Sequence, residues 1–437
     1  MTRLEDLKAK IDAREACIGV IGLGYVGLPL ALELAKAGFR VTGFDLDEEK
    51  VRVLAAGGSY IEDVPAAEIA KIVSAGRFSA TSEFRALSSM DVINVCVPTP
   101  LTKTKDPDVS YMLRAVEEIG RRLRSGQLVI LGSTTYPGTT RELYVPHLES
   151  SGLRCGVDFG VAFAPERIDP ANKKFAVRDV PKVVGAESPL AGELACQVFA
   201  TVFDKVVPVT STATAEMVKL LENTFRAINI GLANEVALMC DRLGLDVWEV
   251  IDAAATKPYG FMKFTPGPGL GGHCIPVDPT YLSWKMKALN FNARFIELAT
   301  DVNGHMPEYV VEKITSLLNE ERLAVNGAKL LLLGVAYKAD VSDVRESPAL
   351  DIAKLLLERG ADVRYHDPHV AEMRLDGHSL KSVDLSDEQL SGADLVVILT
   401  DHTSIDYGRV VRLSHRVYDT RNATRHVTEG RERVRKL

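Results

Sequence analysis

The sequence predicts an α/β protein: two doubly wound, parallel-sheet domains joined by a central helical domain with one long helix. Three observations predict it. Short apolar runs alternate with amphipathic stretches through the first part of the chain, the same alternation returns in the last part, and between them Ala213–Leu243 has apolar residues at helical spacing and no proline. The expected domains are residues 1–209, 210–325 and 326–437.

Taken in order, Cys17 to Leu23 is an apolar run that reads as a strand. Gly22-Leu-Gly-Tyr-Val-Gly27 and an amphipathic stretch to Ala37 follow, Gly38 ends the helix, and Phe39 to Asp45 is a second strand. This is a Rossmann β-α-β unit. The first glycine permits the tight turn, the second lets backbone approach a pyrophosphate, and the third lets helix and strand pack closely. The helix N-terminus adds free N–H groups and partial positive charge for that pyrophosphate. Asp45, at the end of the second strand, suits the hydroxyls of an adenosine ribose and repels a 2′-phosphate, which favours NAD over NADP. Lys50 is a further candidate for the cofactor phosphates, or a solvated helix lysine. Strands at Asp91–Val97, Leu128–Gly132 and Val161–Ala164 and a helix at Tyr111–Arg124 extend the pattern.

The helical centre continues with Val247–Ala254 and Phe295–Asn303. Long helices that join two lobes often bury against a second copy, so a homodimer or higher homo-oligomer through the central helix is expected. Leu330–Leu333, Ala349–Leu357 and Asp362–His366 open the second α/β lobe. It lacks the G-x-G-x-x-G pattern, so it is not expected to hold a dinucleotide pyrophosphate in the same way.

With 437 residues, 46% of them hydrophobic and 25% charged, the chain has the composition of a folded, multidomain protein. A formal charge of −7 gives no electrostatic reason to expect nucleic acid or an anionic membrane as partner. Cysteines at 17, 96, 155, 196, 240 and 274 form no C-x-x-C pair, which argues against a disulfide framework and a zinc cluster, and no metal is expected. The charged start, Met1 to Glu15, does not read as a signal peptide, and no apolar run has the length of a membrane span. The expected location is the cytoplasm.

The densest chemical signal is Pro266-Gly-Pro-Gly-Leu-Gly-Gly-His-Cys-Ile-Pro-Val-Asp278. So much proline and glycine excludes regular structure and exposes backbone amides around Cys274. A cysteine there can be a nucleophile, or a structural residue beside a tight turn. Lys219 and Asn223 are spaced i, i+4 and share one helix face. A lysine with an amide one turn away can orient a hydroxyl and steady its proton, although a solvated surface lysine has the same spacing.

Along essentially its whole length the chain resembles the nucleotide-sugar (UDP-glucose/GDP-mannose) dehydrogenase family. The matching pieces are Gly22-Leu-Gly-Tyr-Val-Gly-Leu-Pro29, Val97-Pro-Thr-Pro100, Ser133-Thr-Thr-Tyr-Pro-Gly138, Ala164-Pro-Glu-Arg167, Glu216-Met-Val-Lys-Leu-Leu-Glu-Asn223, Gly271-Gly-His-Cys274 and Tyr337-Lys-Ala-Asp…Arg345-Glu-Ser-Pro348. The resemblance implies a four-electron oxidation of a sugar C6 alcohol to a carboxylate with NAD, in the synthesis of surface-polysaccharide precursors. Cys274 would capture the aldehyde as a thiohemiacetal and carry it to a thioester. Lys219 and Asn223 would polarise the C6 oxygen, and Asp278 would serve in proton transfer. Glu166 would act in thioester hydrolysis, and Thr134 would position water or cofactor; which of Glu166 and Asp278 is the general base stays open.

The cofactor contacts so implied are Gly22, Gly24, Tyr25, Val26, Gly27, Asp45, Lys50, Pro98, Thr99, Thr134 and Arg345. The substrate contacts are Glu166, Arg167, Lys219, Asn223, Tyr259, Gly271 and Lys338, with UDP on the C-terminal lobe. Where the UDP-glucose branch usually has Pro-Lys-Asp and Pro-Glu-Phe, this chain has Pro276-Val277-Asp278 and Pro165-Glu166-Arg167. Both departures resemble the branch that oxidises N-acetylated UDP-hexosamines. UDP-N-acetylglucosamine is the expected substrate, and UDP-N-acetylmannosamine and UDP-glucose are the alternatives. Two-electron β-hydroxyacid dehydrogenases share the Lys–Asn spacing, but they need no cysteine and generally lack a second α/β lobe. A non-catalytic NAD-binding protein would not need Lys219, Cys274 and Asp278 together.

Overall fold

The computed structural model describes residues 3–61, 64–102, 106–167, 175–272, 275–375 and 377–437. The chain divides into two compact units, Met1–Glu222 with Thr280–Asn290, and Asn223–Pro279 with Phe291–Leu437. No helix of the described residues is long and apolar enough to cross a membrane.

The first unit is built on an eight-stranded sheet of β1 (Cys17–Ile21), β2 (Arg40–Phe44), β3 (Phe78–Thr81), β4 (Val92–Val95), β5 (Leu128–Leu131), β6 (Gly160–Phe163), β7 (Lys182–Ala186) and β8 (Val206–Pro208). Every residue of β4 (Val-Ile-Asn-Val) and β5 (Leu-Val-Ile-Leu) is buried, as expected for strands covered on both faces. Leu28, Leu34 and Leu194 pack on one face, and Val116, Tyr144 and Leu148 on the other. The strand order is β3-β2-β1-β4-β5-β6-β7-β8, so the direction of winding reverses between β1 and β4. Ligands of open α/β sheets bind at such a switch point, beyond the carboxyl ends of the strands. Here those ends lead into residues 22–27 and 97–100.

Two details differ from the sequence reading. Strands β1 to β6 pair in parallel, but β7 runs antiparallel to β6, with β8 parallel to β7. A reversal is tolerated toward the edge of a sheet, beyond the central strands that the parallel crossovers align. The helix expected over Phe295–Asn303 runs from Arg294 to Glu320, through Pro307. A helix-interior proline costs about 3 kcal/mol. Burial of Met306, Val310, Val311, Ile314, Leu317 and Leu318 along one stripe offsets that cost.

The second unit carries a five-stranded sheet of β9 (Lys329–Leu333), β10 (Asp362–His366), β13 (Leu395–Ile398), β14 (Val417–Asp419) and β15 (Val434–Lys436), beside a hairpin of β11 (Glu372–Leu375) and β12 (His378–Lys381). Its order is β10-β9-β13-β14-β15 and all four pairings are parallel. The helices Arg294–Glu320 and Pro348–Glu358 cover one face. Val410 and Val411, with Leu390, cover the other.

The long helix spans Thr212–Leu243. Gly231, the only glycine within it, sits where an added Cβ would lie 3.3 Å from the Ala299 backbone, so it is retained for close helix packing. In the first unit this helix supplies Glu216, which is fully buried. Its carboxylate accepts the Gly138 N–H at 2.6 Å, the Thr140 N–H at 2.9 Å and the Thr140 hydroxyl at 2.6 Å. These bonds fix the far end of the loop formed by residues 133–140. Burial nonetheless dominates the carboxyl and raises its pKa above the ordinary value. Glu216→Gln turns one acceptor oxygen into a donor that faces another donor, which costs about 1–3 kcal/mol. We expect a lower denaturant midpoint for the variant; an unchanged midpoint would mean the loop does not depend on this carboxylate.

Candidate active site

The turn after β1 meets the steric demands of a dinucleotide cradle. Gly22 has φ +88°, and a Cβ there would lie 2.5 Å from the Cys96 carbonyl oxygen. A Cβ on Gly27 would lie 1.8 Å from the Gly22 oxygen, so helix and strand can meet only at glycine. A Cβ on Gly24 would meet nothing within 4 Å. Gly24 therefore keeps open the space in which a pyrophosphate approaches the backbone, ahead of the helix Gly27–Lys36. Tyr25 is half exposed on the same turn, and Val26 is the N-cap residue.

Asp45 follows β2 with its carboxylate aimed by two backbone amides, Leu23 N–H at 2.9 Å and Asp47 N–H at 3.0 Å. Each oxygen keeps a second lone pair for a ribose hydroxyl. Lys50 Nζ stands 3.8 Å from Asp45 Oδ2, the oxygen that accepts the Leu23 N–H, so it lies beside both the carboxylate and the glycine turn. Pro98 and Thr99 lie on the loop after β4. The Tyr281 hydroxyl stands 3.0 Å from the carbonyl oxygens of both Thr99 and Pro100. These residues fit a bound NAD: glycines for its pyrophosphate and a carboxylate for its ribose.

Three further predicted residues stand on loops of this unit. Thr134 is half-buried between buried Ser133 and Thr135, on the loop that Glu216 anchors. Glu166, after β6, is buried; Oε1 accepts the Arg167 N–H at 2.7 Å and Oε2 stands 3.0 Å from Lys182 Nζ. Arg167, predicted to touch substrate, is also engaged by protein groups. Its guanidinium grips Glu222 of the long helix at 2.6 and 3.1 Å and donates to the Pro181 carbonyl at 2.6 Å. Lys219 is half-buried, three residues after Glu216.

In the second unit the long helix continues with Asn223, whose Nδ2 donates to Asp278 Oδ2 at 2.5 Å. Asp278 is buried and begins the helix Asp278–Ala288. The glycine-proline loop ahead of it is pinned by a chain of buried amides. Gly267 N–H donates to Asn234 Oδ1 at 2.9 Å, Asn234 Nδ2 to Asn303 Oδ1 at 2.8 Å, and Asn303 Nδ2 to the Ala227 carbonyl at 3.1 Å. The loop then lies on Tyr337 and residues 345–348. A Cβ on Gly271 would come within 2.9 Å of the Tyr337 Cβ, and Gly272, at φ +88°, donates to the Arg345 carbonyl at 3.1 Å. Arg345 thus touches this loop through backbone, while its guanidinium pairs with Asp343 at 2.7 Å. Cys274, the predicted nucleophile, and His273 lie outside the described residues. Tyr259 is 72% exposed, on the segment leading to the loop.

Lys338 is half-buried on the turn after β9. Asp340, at φ +59°, fixes that turn by accepting the Thr403 N–H and hydroxyl, both at 2.9 Å. Among the described residues Asp340, His369 and His402 bring potential metal-ligating atoms within 4.8 Å of one another. His402 already uses both ring nitrogens: Nδ1 accepts the Asp340 N–H at 3.0 Å and Nε2 faces Asp367 at 3.0 Å. Burial opposes the charge on Asp367, but His402 and the Val335 and His369 amides hold its carboxyl below the usual range. The cluster therefore serves as a hydrogen-bonded brace for the Lys338 turn.

Sequence reasoning missed Glu216, Lys182, Glu222 and Asn234, all of which hold predicted site residues or their loops. Glu216, Glu222 and Asn234 lie on the same helix as Lys219 and Asn223, so their shared helix was a usable signal. Lys182 gave none, because its partner Glu166 is remote in sequence.

Comparison with known proteins agrees with this geometry. Residues 16–203 match the NAD binding domain of the UDP-glucose/GDP-mannose dehydrogenase family, residues 213–305 its central domain and residues 331–426 its UDP binding domain. A UDP-N-acetyl-D-mannosamine dehydrogenase of Methanococcus maripaludis is 35% identical over 429 residues, covering 95% of this chain and 94% of its own. A UDP-N-acetyl-D-glucosamine 6-dehydrogenase of Pseudomonas aeruginosa is 38% identical over 356 residues, covering 81% of this chain and 83% of its own. The solved UDP-D-ManNAc dehydrogenase from Pyrococcus horikoshii superposes with a TM-score of 0.88 at 34% identity, covering 96% of this chain and 99% of that one. The chain belongs to the UDP-glucose/GDP-mannose dehydrogenase family and is an NAD-dependent nucleotide-sugar oxidoreductase.

Proposed function

We propose that the protein oxidises the C6 alcohol of a UDP-N-acetylhexosamine to the carboxylate, with UDP-N-acetylglucosamine as the leading substrate. The product is a uronate, a precursor for surface polysaccharide. The observation that carries the reading is the Asn223–Asp278 hydrogen bond. Asn223, one helical turn after Lys219, thereby meets the first residue of the helix that follows Cys274 by four positions. An alcohol-polarising group, a proton acceptor and a nucleophile are what a four-electron oxidation needs.

NAD, when bound, accepts the hydride at each of the two oxidations. Lys219 and Asn223 hold the C6 oxygen and stabilise the negative charge it develops, while Asp278 takes the hydroxyl proton. The Cys274 sulfur then adds to the aldehyde carbon, forming a C–S bond as the carbonyl oxygen gains a proton. This hemithioacetal retains the half-oxidised sugar. Loss of a second hydride and the hydroxyl proton leaves a thioester. Glu166 removes a proton from the attacking water, the C–S bond breaks, and the carboxylate and free thiol remain. Arg167 and its Glu222 partner position this loop on the long helix, and two of the five guanidinium N–H donors remain for the substrate.

UDP-N-acetylmannosamine is the second reading, favoured by the names of the Methanococcus maripaludis and Pyrococcus horikoshii relatives. The two sugars differ only in the C2 epimer.

We also propose that the chain pairs with a second copy through the long helix. Phe225, Leu232, Met239 and Leu243 stand at spacings of seven, seven and four residues, with Leu232 56% and Leu243 70% exposed. An apolar stripe of that period suits a partner helix presenting the same stripe across a two-fold axis. Replacing Leu232 and Met239 by lysine is expected to give a monomer by light scattering; an unchanged assembly would exclude this face.

Counting NADH per sugar consumed tests the reaction. Two NADH per UDP-N-acetylglucosamine are expected, and one would remove the thioester route. Cys274→Ser should abolish acid formation and retain NAD binding; normal turnover would contradict a cysteine mechanism. Asp45→Asn keeps an acceptor oxygen and loses the charge that repels a 2′-phosphate. The preference for NAD over NADP should fall about tenfold, roughly 1.4 kcal/mol; unchanged selectivity would mean that Asp45 does not meet the ribose.

A further inference from the structure

Lys182 opens β7 and is 2% exposed, although lysine is rarely buried without a purpose. Its ammonium stands 3.0 Å from Glu166 Oε2, and among the described residues that carboxylate is its one acceptor. Two aromatic rings flank it: the Phe199 and Phe203 centroids lie 5.3 and 5.2 Å away, and the rings meet edge to face at 5.8 Å. Both rings are themselves buried. A buried ion pair is often no more stable than two apolar residues, so packing alone does not explain a lysine here.

We propose that Lys182 is a positioning residue for Glu166, keeping its buried carboxylate ionised and aimed by a cation held in an aromatic box. The inference rests on the reading of Glu166 as the group that takes a proton from water during thioester hydrolysis. Burial by itself favours the protonated acid, which cannot accept that proton; an adjacent cation reverses the preference. The described charged or titratable groups nearest the pair play other parts. The Arg167 guanidinium is committed to Glu222 and the Pro181 carbonyl, and its backbone N–H is what meets Glu166. Burial pushes the Cys96 thiol, which faces the pair, up to about 12, so it adds no competing negative charge near neutral pH. The box also limits where Glu166 can point, because Oε1 is held by the Arg167 amide while Oε2 is held by Lys182.

The test compares wild type with Lys182→Met, Lys182→Arg, Phe203→Leu and Glu166→Gln, measuring steady-state NADH formation from UDP-N-acetylhexosamine across pH. Lys182→Met should lower kcat at neutral pH by at least about tenfold with KM little changed. It should also move the acidic limb of the kcat profile to higher pH, because Glu166 must then lose its proton without that neighbouring cation. Lys182→Arg should restore the limb and most of the rate. Phe203→Leu keeps the ammonium and removes one wall of its box, so the limb should move the same way by less. If Lys182→Met does not fold, Phe203→Leu carries the test, and an unmoved limb overturns the proposal. Lower thermal stability with an unmoved limb and no rescue by arginine also overturns it, since that is the signature of packing alone. Normal acid formation by Glu166→Gln would defeat the reading of Glu166 itself. A slow Glu166→Gln beside a normal Lys182→Met would defeat only the role given to Lys182.

Discussion

In each unit the candidate site residues and their loops are held by hydrogen bonds from polar side chains of the long helix. Within the first unit, Glu216 holds the loop of residues 133–140 and Glu222 holds Arg167 after β6. Within the second, Asn223 holds Asp278 and Asn234 holds Gly267. The helix has 32 residues, far more than the average in globular proteins, and its interior is uninterrupted by proline. Its backbone groups satisfy one another, which leaves the side chains available to loops that have no regular bonding of their own. Lys219 lies within this row of anchors, three residues after Glu216 and three before Glu222.

The anchoring groups are polar and largely buried, and that choice has a cost which hydrogen bonding must offset. An unsatisfied buried amide or carboxylate is destabilising by kilocalories, whereas a fully satisfied network fixes a unique geometry. The Asn234–Asn303 pair shows the benefit. One amide accepts from Gly267 and donates to Asn303, which in turn donates to the Ala227 carbonyl, so the start of a glycine-rich loop is tied to two helices. The same logic explains the glycines at the loop's end. Gly271 and Gly272 lie so close to Tyr337 that a Cβ on either would approach it to 2.9 Å.

Much of this was legible in the sequence because it depends on local rules. Gly22, Gly24 and Gly27 announce the turn by spacing, and the long helix by its apolar period. What was not legible depends on residues remote in sequence. The reversal of β7 is a matter of pairing toward the sheet edge, and the extension of the helix past Pro307 is a matter of burial against the second sheet, which overrides proline's local preference. Arg167 stands out from its motif as a candidate substrate contact; its bond to Glu222, 55 residues away, cannot be read from either segment alone. Lys182 is the clearest case. It is a single lysine in an apolar strand, and its meaning appears only when Glu166, Phe199 and Phe203 are seen around it.

At the centre of the proposed reaction, one cysteine retains the half-oxidised sugar until a carboxylate-activated water releases it. The most direct measurement is peptide mass spectrometry after acid quench of Glu166→Gln incubated with NAD and UDP-N-acetylglucosamine, followed on the tryptic segment of residues 264–285 that contains Cys274. The predicted result is a segment carrying the mass of the UDP-sugar acyl group, a modification that Cys274→Ser abolishes. An unmodified segment, with the variant still forming NADH and releasing aldehyde, would contradict a covalent route through this cysteine.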